Sequence, residues 1–183
     1  MNDPKRLDVI GLIEPLRRYA RALTRDASQA EDLVQDTLVR AYERHRTFRA
    51  SGNLRAWLLS VLHNTFIDQR RRQNAELRHS EGMAELTLSA VPADQESRVR
   101  LQQIQQAFLS LPDEQRSVLH LVTIEGLSYQ EAATTLDIPL GTLMSRLGRA
   151  RAALRAFEEG QSQDPSTAGR SRPALRIVGG SHD

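Results

Sequence analysis

The 183-residue chain contains no cysteine. That excludes disulfide staples and thiolate metal sites, and it fits a reducing compartment. Lysine is nearly missing too: Lys5 stands alone, and every other cation of fixed charge is an arginine. Arginine suits bidentate grips on guanine and phosphate, but a bias spread over a whole chain carries little functional weight. Aromatics reach only 4%, β-branched residues are scattered and period-two alternation is not sustained, so strands are not expected. No apolar run approaches the roughly 20 residues that a membrane-spanning helix needs, and the opening MNDPKRLD has no apolar core of a signal peptide. The chain therefore reads as soluble and cytoplasmic, without membrane insertion. Its net charge is only +2, so any attraction to nucleic acid must come from clustering.

Enzymatic signals are also missing. His45, His63, His79, His120 and His182 are dispersed, no H-E-x-x-H or glycine-rich phosphate loop occurs, and the Ser, His and Asp residues form no organised motif. No catalytic residue, metal ligand or cofactor is expected.

What the chain does have is helical periodicity, nearly throughout. A first helix is expected from Val9 to Thr24, with Leu12, Leu16, Tyr19, Ala20 and Leu23 inward. A second is expected from Ser28, boxed by Glu31, to about Arg46, with Leu33, Val34, Leu38, Ala41 and Tyr42 inward. After a loop from Thr47 to Gly52, Asn53 caps a third helix whose apolar stripe includes Leu54, Trp57, Leu58, Val61 and Leu62. Trp57 could stack on a base, but its place in that stripe favours core packing. From His79 to Glu96 the periodicity fails in an acidic stretch that reads as a linker. It resumes with Val99, Leu101, Ile104, Phe108 and Leu111, breaks at Pro112, and continues through Val118, Leu119, Val122 and Ile124 to Gly126, a helix stop. Beyond Glu159 the tail is rich in Gly, Ser and Pro and reads as disordered; its Leu175–Val178 patch is an incidental apolar run or a docking segment.

Three constellations carry functional information. From Ser128 to Arg155 the sequence SYQEAATTLDIPLGTLMSRLGRARAALR spells two short helices around a turn marked by Pro139 and Gly141. Ser128 and Glu131 form a capping box for the first. In the second, Leu143, Leu147, Ala150 and Leu154 make an apolar stripe. The other side carries Thr142, Ser145, Gly148 and Arg149 with no acid, a surface able to enter a major groove. In the second long helix, Asp32, Gln35 and Asp36 share an outer face that would repel phosphate and is better placed to meet a protein. The third helix sets Arg55, His63, Asn64 and Arg70 to Arg72 outside its stripe, which suits contact with a nucleic-acid backbone and unstacked bases.

The succession AEDLVQDTLVRAY, RAWLLSVLHNTFID with three arginines close behind, and LPDEQRSVLHLVTIEGLSYQEAATTLDIPLGTLMSRLGRARAALR closely resembles the RNA polymerase sigma-70 family, extracytoplasmic-function (ECF) group, from Leu7 to Phe157. The resemblance implies an all-α fold of two small helical domains: a sigma-2 bundle (residues 7–78) and a sigma-4 helix-turn-helix (97–158), joined by a flexible acidic linker (79–96) and followed by a disordered tail (159–183). It implies a sigma factor that directs core RNA polymerase to promoters and aids melting, with an anti-sigma factor as a further partner. By the same resemblance, Asp32, Gln35 and Asp36 dock on core polymerase. Asn53, Arg55, Asn64, Asp68, Arg70, Arg71 and Arg72 serve the minus ten element; Thr142, Ser145, Arg146 and Arg149 serve the minus thirty-five element. Met144 departs from the many relatives that carry a cation there, so the promoter sequence does not transfer from them. The alternative is a free-standing helix-turn-helix regulator, which has no need of the Asp32, Gln35, Asp36 face.

Overall fold

The computed structural model describes residues 9–48, 52–77 and 95–162, and these residues are almost wholly helical, with no strand among them. The elements are α1 (Ile13–Thr24), α2 (Ala27–Glu43), α3 (Leu54–Leu77), α4 (Gln95–Ser110), α5 (Asp113–Leu119), α6 (Tyr129–Thr135) and α7 (Leu140–Ser162). Most of the linker and tail expected from sequence, including Leu175–Val178, lies outside the described residues.

Each boundary has a local cause. A short 3₁₀ turn, Ile10–Leu12, leads into α1. The helix ends where Arg25 turns left-handed (φ 62°) and donates its N–H to the Arg21 carbonyl. Asp26 then sits in extended conformation and its carboxylate accepts from the Gln29 N–H at 2.8 Å, capping α2. This corrects the expected Ser28 cap: Ser28 is already helical, and Glu31 turns instead to Arg17 and Arg21. Both Asp26 and Ser28 are good capping residues, and the extended backbone of Asp26 decides between them. Asn53 does cap α3, accepting from the Ala56 N–H at 3.2 Å. Ser128 and Glu131 form the expected reciprocal box at the start of α6.

The core contains Leu16, Tyr19, Leu33, Leu58, Leu59 and Leu62 from the first three helices. It runs without a break into Val118, Leu121, Leu143 and Leu147 of the C-terminal half. The two halves touch because α5 packs on α1 and α6 packs on α3. Several residues expected inward are not. Tyr42 is 80% exposed, Leu101 63%, Ile124 47% and Ile104 42%. Helical period alone defines a stripe but not where its neighbours end: among the described side chains of α4, burial gathers at Ala107 and Phe108, next to Leu111 just past the helix. Gly141 likewise lies inside α7 rather than in the turn before it; the turn depends on Asp137, at φ 52°.

After α5 the chain makes a wide π turn, His120–Ile124, in which the Glu125 N–H reaches the His120 carbonyl at 3.0 Å. Gly126 (φ +66°) then reverses the chain. The π turn brings the His120 ring and the Glu125 carboxylate together at 3.2 Å, and both are buried.

Candidate nucleic-acid and polymerase interfaces

α7 is a two-faced helix. Leu143, Leu147 and Ala150 are buried against the domain, while Ser145, Gly148, Arg149 and Ala152 are exposed on the other side. A Cβ added at Gly148 meets nothing within 4 Å, so the glycine leaves a clear approach over this face. Arg149 donates to the Ser145 hydroxyl at 2.9 Å, tying the two exposed polar groups into one unit. Thr142 is half-buried at the helix start. Arg146 is held 2.7 Å from Glu114 and turns toward the seam between the two halves rather than outward. Of the four residues expected to read DNA from this helix, the structure therefore puts Ser145 and Arg149 on the open surface and half-withdraws Thr142 and Arg146.

On α2, Asp32, Gln35 and Asp36 are all exposed. Asp36 accepts from the Gln69 side chain at 2.8 Å, which braces it against α3. Val39, one further turn along, is 58% exposed and continues this face, as does Tyr42. Apolar period alone assigns such residues to a core, so sequence reasoning passed over Val39 and misplaced Tyr42.

The α3 set is arranged differently. Arg71, Arg72 and Asn64 are exposed. Asp68 is fixed at 3.0 Å by Arg40 of α2. Asn53 reaches across to Glu131 of α6 at 2.8 Å, Arg55 pairs with Glu125 and Arg70 pairs with Asp113. A cavity of about 570 Å³ opens along the seam, lined by Asn64, Asp68 and Arg71 on one side and Glu114, Asp137 and Arg146 on the other. Trp57 is partly buried and packs against Phe48, ring centroids 5.4 Å apart, in keeping with a packing role.

Two buried polar groups organise the seam, and neither was singled out in the sequence. The Glu125 side chain is fully buried. Burial alone would raise its pKa, but hydrogen bonds and charges from His120 and Arg55 outweigh that and hold it down to about 2. Arg18 of α1 adds a second guanidinium to the same carboxylate, at 3.2 Å. Arg116 is also fully buried; burial first, then the charges of Arg25 and Arg70, lower its pKa to about 10. It donates to the carbonyls of Ala22, Leu23, Leu109 and Leu111 and pairs with Asp113. Between them lies Tyr19, stacked on His120 (5.1 Å) and hydrogen-bonded to His63 (3.0 Å). Burial, then the charge of Arg146, lowers the His63 pKa to about 4. Histidines 57 positions apart in sequence thus flank one tyrosine. Among the described residues no cluster of potential ligands suits a metal ion, and no helix is long and apolar enough to cross a membrane.

Comparison with known proteins agrees with this arrangement. Residues 12–76 match Sigma-70 region 2, and residues 101–154 match Sigma-70, region 4. The chain is 35% identical over 157 residues to the ECF RNA polymerase sigma factor EcfG of Rhodopseudomonas palustris, covering 86% of each protein. It is 37% identical over 144 residues to the ECF RNA polymerase sigma factor SigL of Mycobacterium tuberculosis, covering 76% of this chain and 80% of that one. Among solved structures, the sigma factor RpoE from Bartonella quintana, crystallised with the anti-sigma factor NepR, superposes with a TM-score of 0.75 at 34% identity, over 83% of this chain and 94% of that one. CnrH, in complex with the cytosolic domain of CnrY, gives a TM-score of 0.60 at 27% identity, over 83% of this chain and 85% of that one. With both matched regions in order and identity sustained over most of the chain, it belongs to the ECF group of the RNA polymerase sigma-70 family, and is a promoter-directing transcription initiation factor rather than an enzyme.

Proposed function

We propose the following division of labour within this sigma factor. The exposed α2 face of Asp32, Gln35 and Asp36, extended by Val39, docks on core RNA polymerase. Asn53, which caps α3, and the α3 residues Arg55, Asn64, Asp68, Arg70, Arg71 and Arg72 engage the minus ten element as it melts. The α7 face of Thr142, Ser145, Arg146 and Arg149 reads the minus thirty-five element. The observation that carries this reading is the segregation of chemistry by face: α2 offers acids and no arginine at its outer positions 32, 35 and 36, whereas the open side of α7 between Thr142 and Ala152 offers arginine and small residues with no acid. Phosphate is repelled by the first surface and attracted by the second. The free-standing regulator reading leaves the α2 face without a task.

The protein works in the cytoplasm, where polymerase and promoters are. An anti-sigma factor is a further partner: the solved relatives RpoE and CnrH were captured with NepR and with the cytosolic domain of CnrY. The test is transcription with purified core polymerase and a randomised promoter library. The expected result is initiation that depends on the chain, with sequence preference confined to two blocks, near minus ten and near minus thirty-five. Initiation without the chain, or preference confined to one block, would overturn the assignment.

A further inference from the structure

The outward side of α7 carries a strip of small residues, Gly141, Ser145, Gly148 and Ala152, all exposed. At about 100° per residue, Arg149 stands along one edge of that strip and Met144 along the other, each about 70° from its centre. Arg149 already has a task there. Met144 has none, although it is 54% exposed. A lone surface methionine is ordinary, but this one stands on the side assigned above to DNA, and the strip leaves it unshielded. Gly141, three residues before, and Gly148, four after, are its neighbours on the helix surface, and a Cβ added at either meets nothing within 4 Å. Leu140, one turn earlier, is exposed as well, so this edge begins with two apolar residues where the opposite edge offers an arginine.

Chemistry narrows what Met144 can meet. A thioether side chain has no N–H or O–H to donate, so it holds no phosphate, and whatever it adds to DNA binding depends on sequence. The apolar feature among the base edges of a major groove is the C5-methyl group of thymine. A flexible, polarisable side chain packs against such a group without demanding one fixed geometry. We propose that Met144, backed by Leu140, reads thymine in the minus thirty-five element through its methyl group, as a second specificity contact beside Arg149. This rests on the assignment of α7 to that element made above. Farther along the same edge the chemistry changes to charge: Arg151 and Arg155 are exposed and lie about 10 and 16 Å beyond Met144 along the helix. The major groove is about 12 Å wide, so these arginines come level with the phosphates at its rim while the methionine sits among the bases.

The test uses holoenzyme assembled from the full chain and core polymerase, on a promoter that the parent selects from a library randomised over the minus thirty-five segment. Each thymine of that segment, on either strand, is replaced in turn by deoxyuridine, which lacks only the C5-methyl group, and binding is read by competition. The parent should lose about three- to fivefold at one thymine or at two adjacent ones, and nothing at the others. Met144→Ala should bind the thymine and deoxyuridine promoters equally at that position. Its melting temperature should stay within about 2 °C of the parent's, since the side chain is exposed. A selected segment with no thymine on either strand, no deoxyuridine effect in the parent, or an effect that Met144→Ala leaves in place overturns the methyl contact; if preference still depends on Arg149, the α7 assignment stands without it. If neither Arg149→Ala nor Met144→Ala changes preference in the segment, the α7 assignment fails, and the methyl contact with it. A loss in Met144→Ala that is equal on every promoter and follows weaker core binding would make this edge a protein-docking surface, which overturns the contact as well.

Discussion

Arg116→Ala should be among the most destabilising single changes in the chain. Its guanidinium lies fully buried where two helices end, donating to Ala22 and Leu23 in the last turn of α1 and to Leu109 and Leu111 where α4 gives way to α5. The last carbonyls of a helix have no partner within it, and they carry the negative end of its dipole. One cation thus closes two helix ends at once, with Asp113 balancing its charge. Truncation orphans the carbonyls of Ala22, Leu23 and Leu109 at about 1 to 3 kcal/mol each, leaves Leu111 with only its longer bond from Arg25, and leaves Asp113 without its buried partner. Against this stands the relief of no longer burying a charge, several kcal/mol. The net expectation is a loss of about 3 to 5 kcal/mol, a large share of the roughly 5 to 15 kcal/mol that stabilises a typical domain. Arg116→Lys keeps the charge but has three donors on a single nitrogen, and should recover less than half of the loss. Urea denaturation followed by circular dichroism measures both. A loss under about 1 kcal/mol for the alanine variant would mean that water replaces the guanidinium without cost, and the two-ended capping argument would be wrong.

Other expectations follow from the same geometry. Asp36→Arg with Gln35→Ala should weaken core polymerase binding at least tenfold in a competition assay while the melting temperature stays within about 2 °C, because both side chains are exposed; unchanged affinity refutes the docking face. Arg149→Ala should cost about 1 to 3 kcal/mol of minus thirty-five recognition and relax preference at one position if it reads a base, or weaken all sequences alike if it holds phosphate. Gly148→Leu meets only open space within the protein, so a loss of transcription there reports a clash with DNA; output and preference untouched in both α7 variants would remove this face from promoter reading. Because the His63 pKa is lowered to about 4 in the folded protein, the unfolded chain takes up that proton first as pH falls below about 6.5. Stability should be full above that value and fall by about 3 kcal/mol on the way to pH 4, a slope that His63→Asn should flatten and that urea midpoints across pH would reveal.

Helix periodicity made most of the elements legible, and capping chemistry fixed several starts: Asn53 and Ser128 do what their side chains dictate locally. The outward face of α7 was legible for the same reason, since a buried stripe of Leu143, Leu147 and Ala150 forces Ser145 and Arg149 outward. What escaped is tertiary. Tyr42, Ile104 and Ile124 follow the apolar rhythm yet are largely exposed, because among the described residues no neighbouring helix covers them. Arg116 and Glu125 look like surface residues in sequence. Their burial depends on partners such as Leu23, 93 positions away from Arg116, and Arg18, 107 positions away from Glu125. The α3 arginines announced affinity for anions, but not that anions from the same chain would meet them.

The wide turn at His120–Ile124 makes the length of this stretch as constrained as its composition. Each residue of a helix advances the next by about 100°. Deleting one residue here would tighten the turn into ordinary helix and swing Glu125 by about a quarter of a revolution, away from His120, Arg18 and Arg55. Gly126 and the whole helix-turn-helix would rotate with it relative to α1 and α3. A single-codon deletion in this stretch should therefore be tolerated less well than most substitutions within it, and relatives that keep the Glu125 contacts should keep the same number of residues between Arg116 and Ser128.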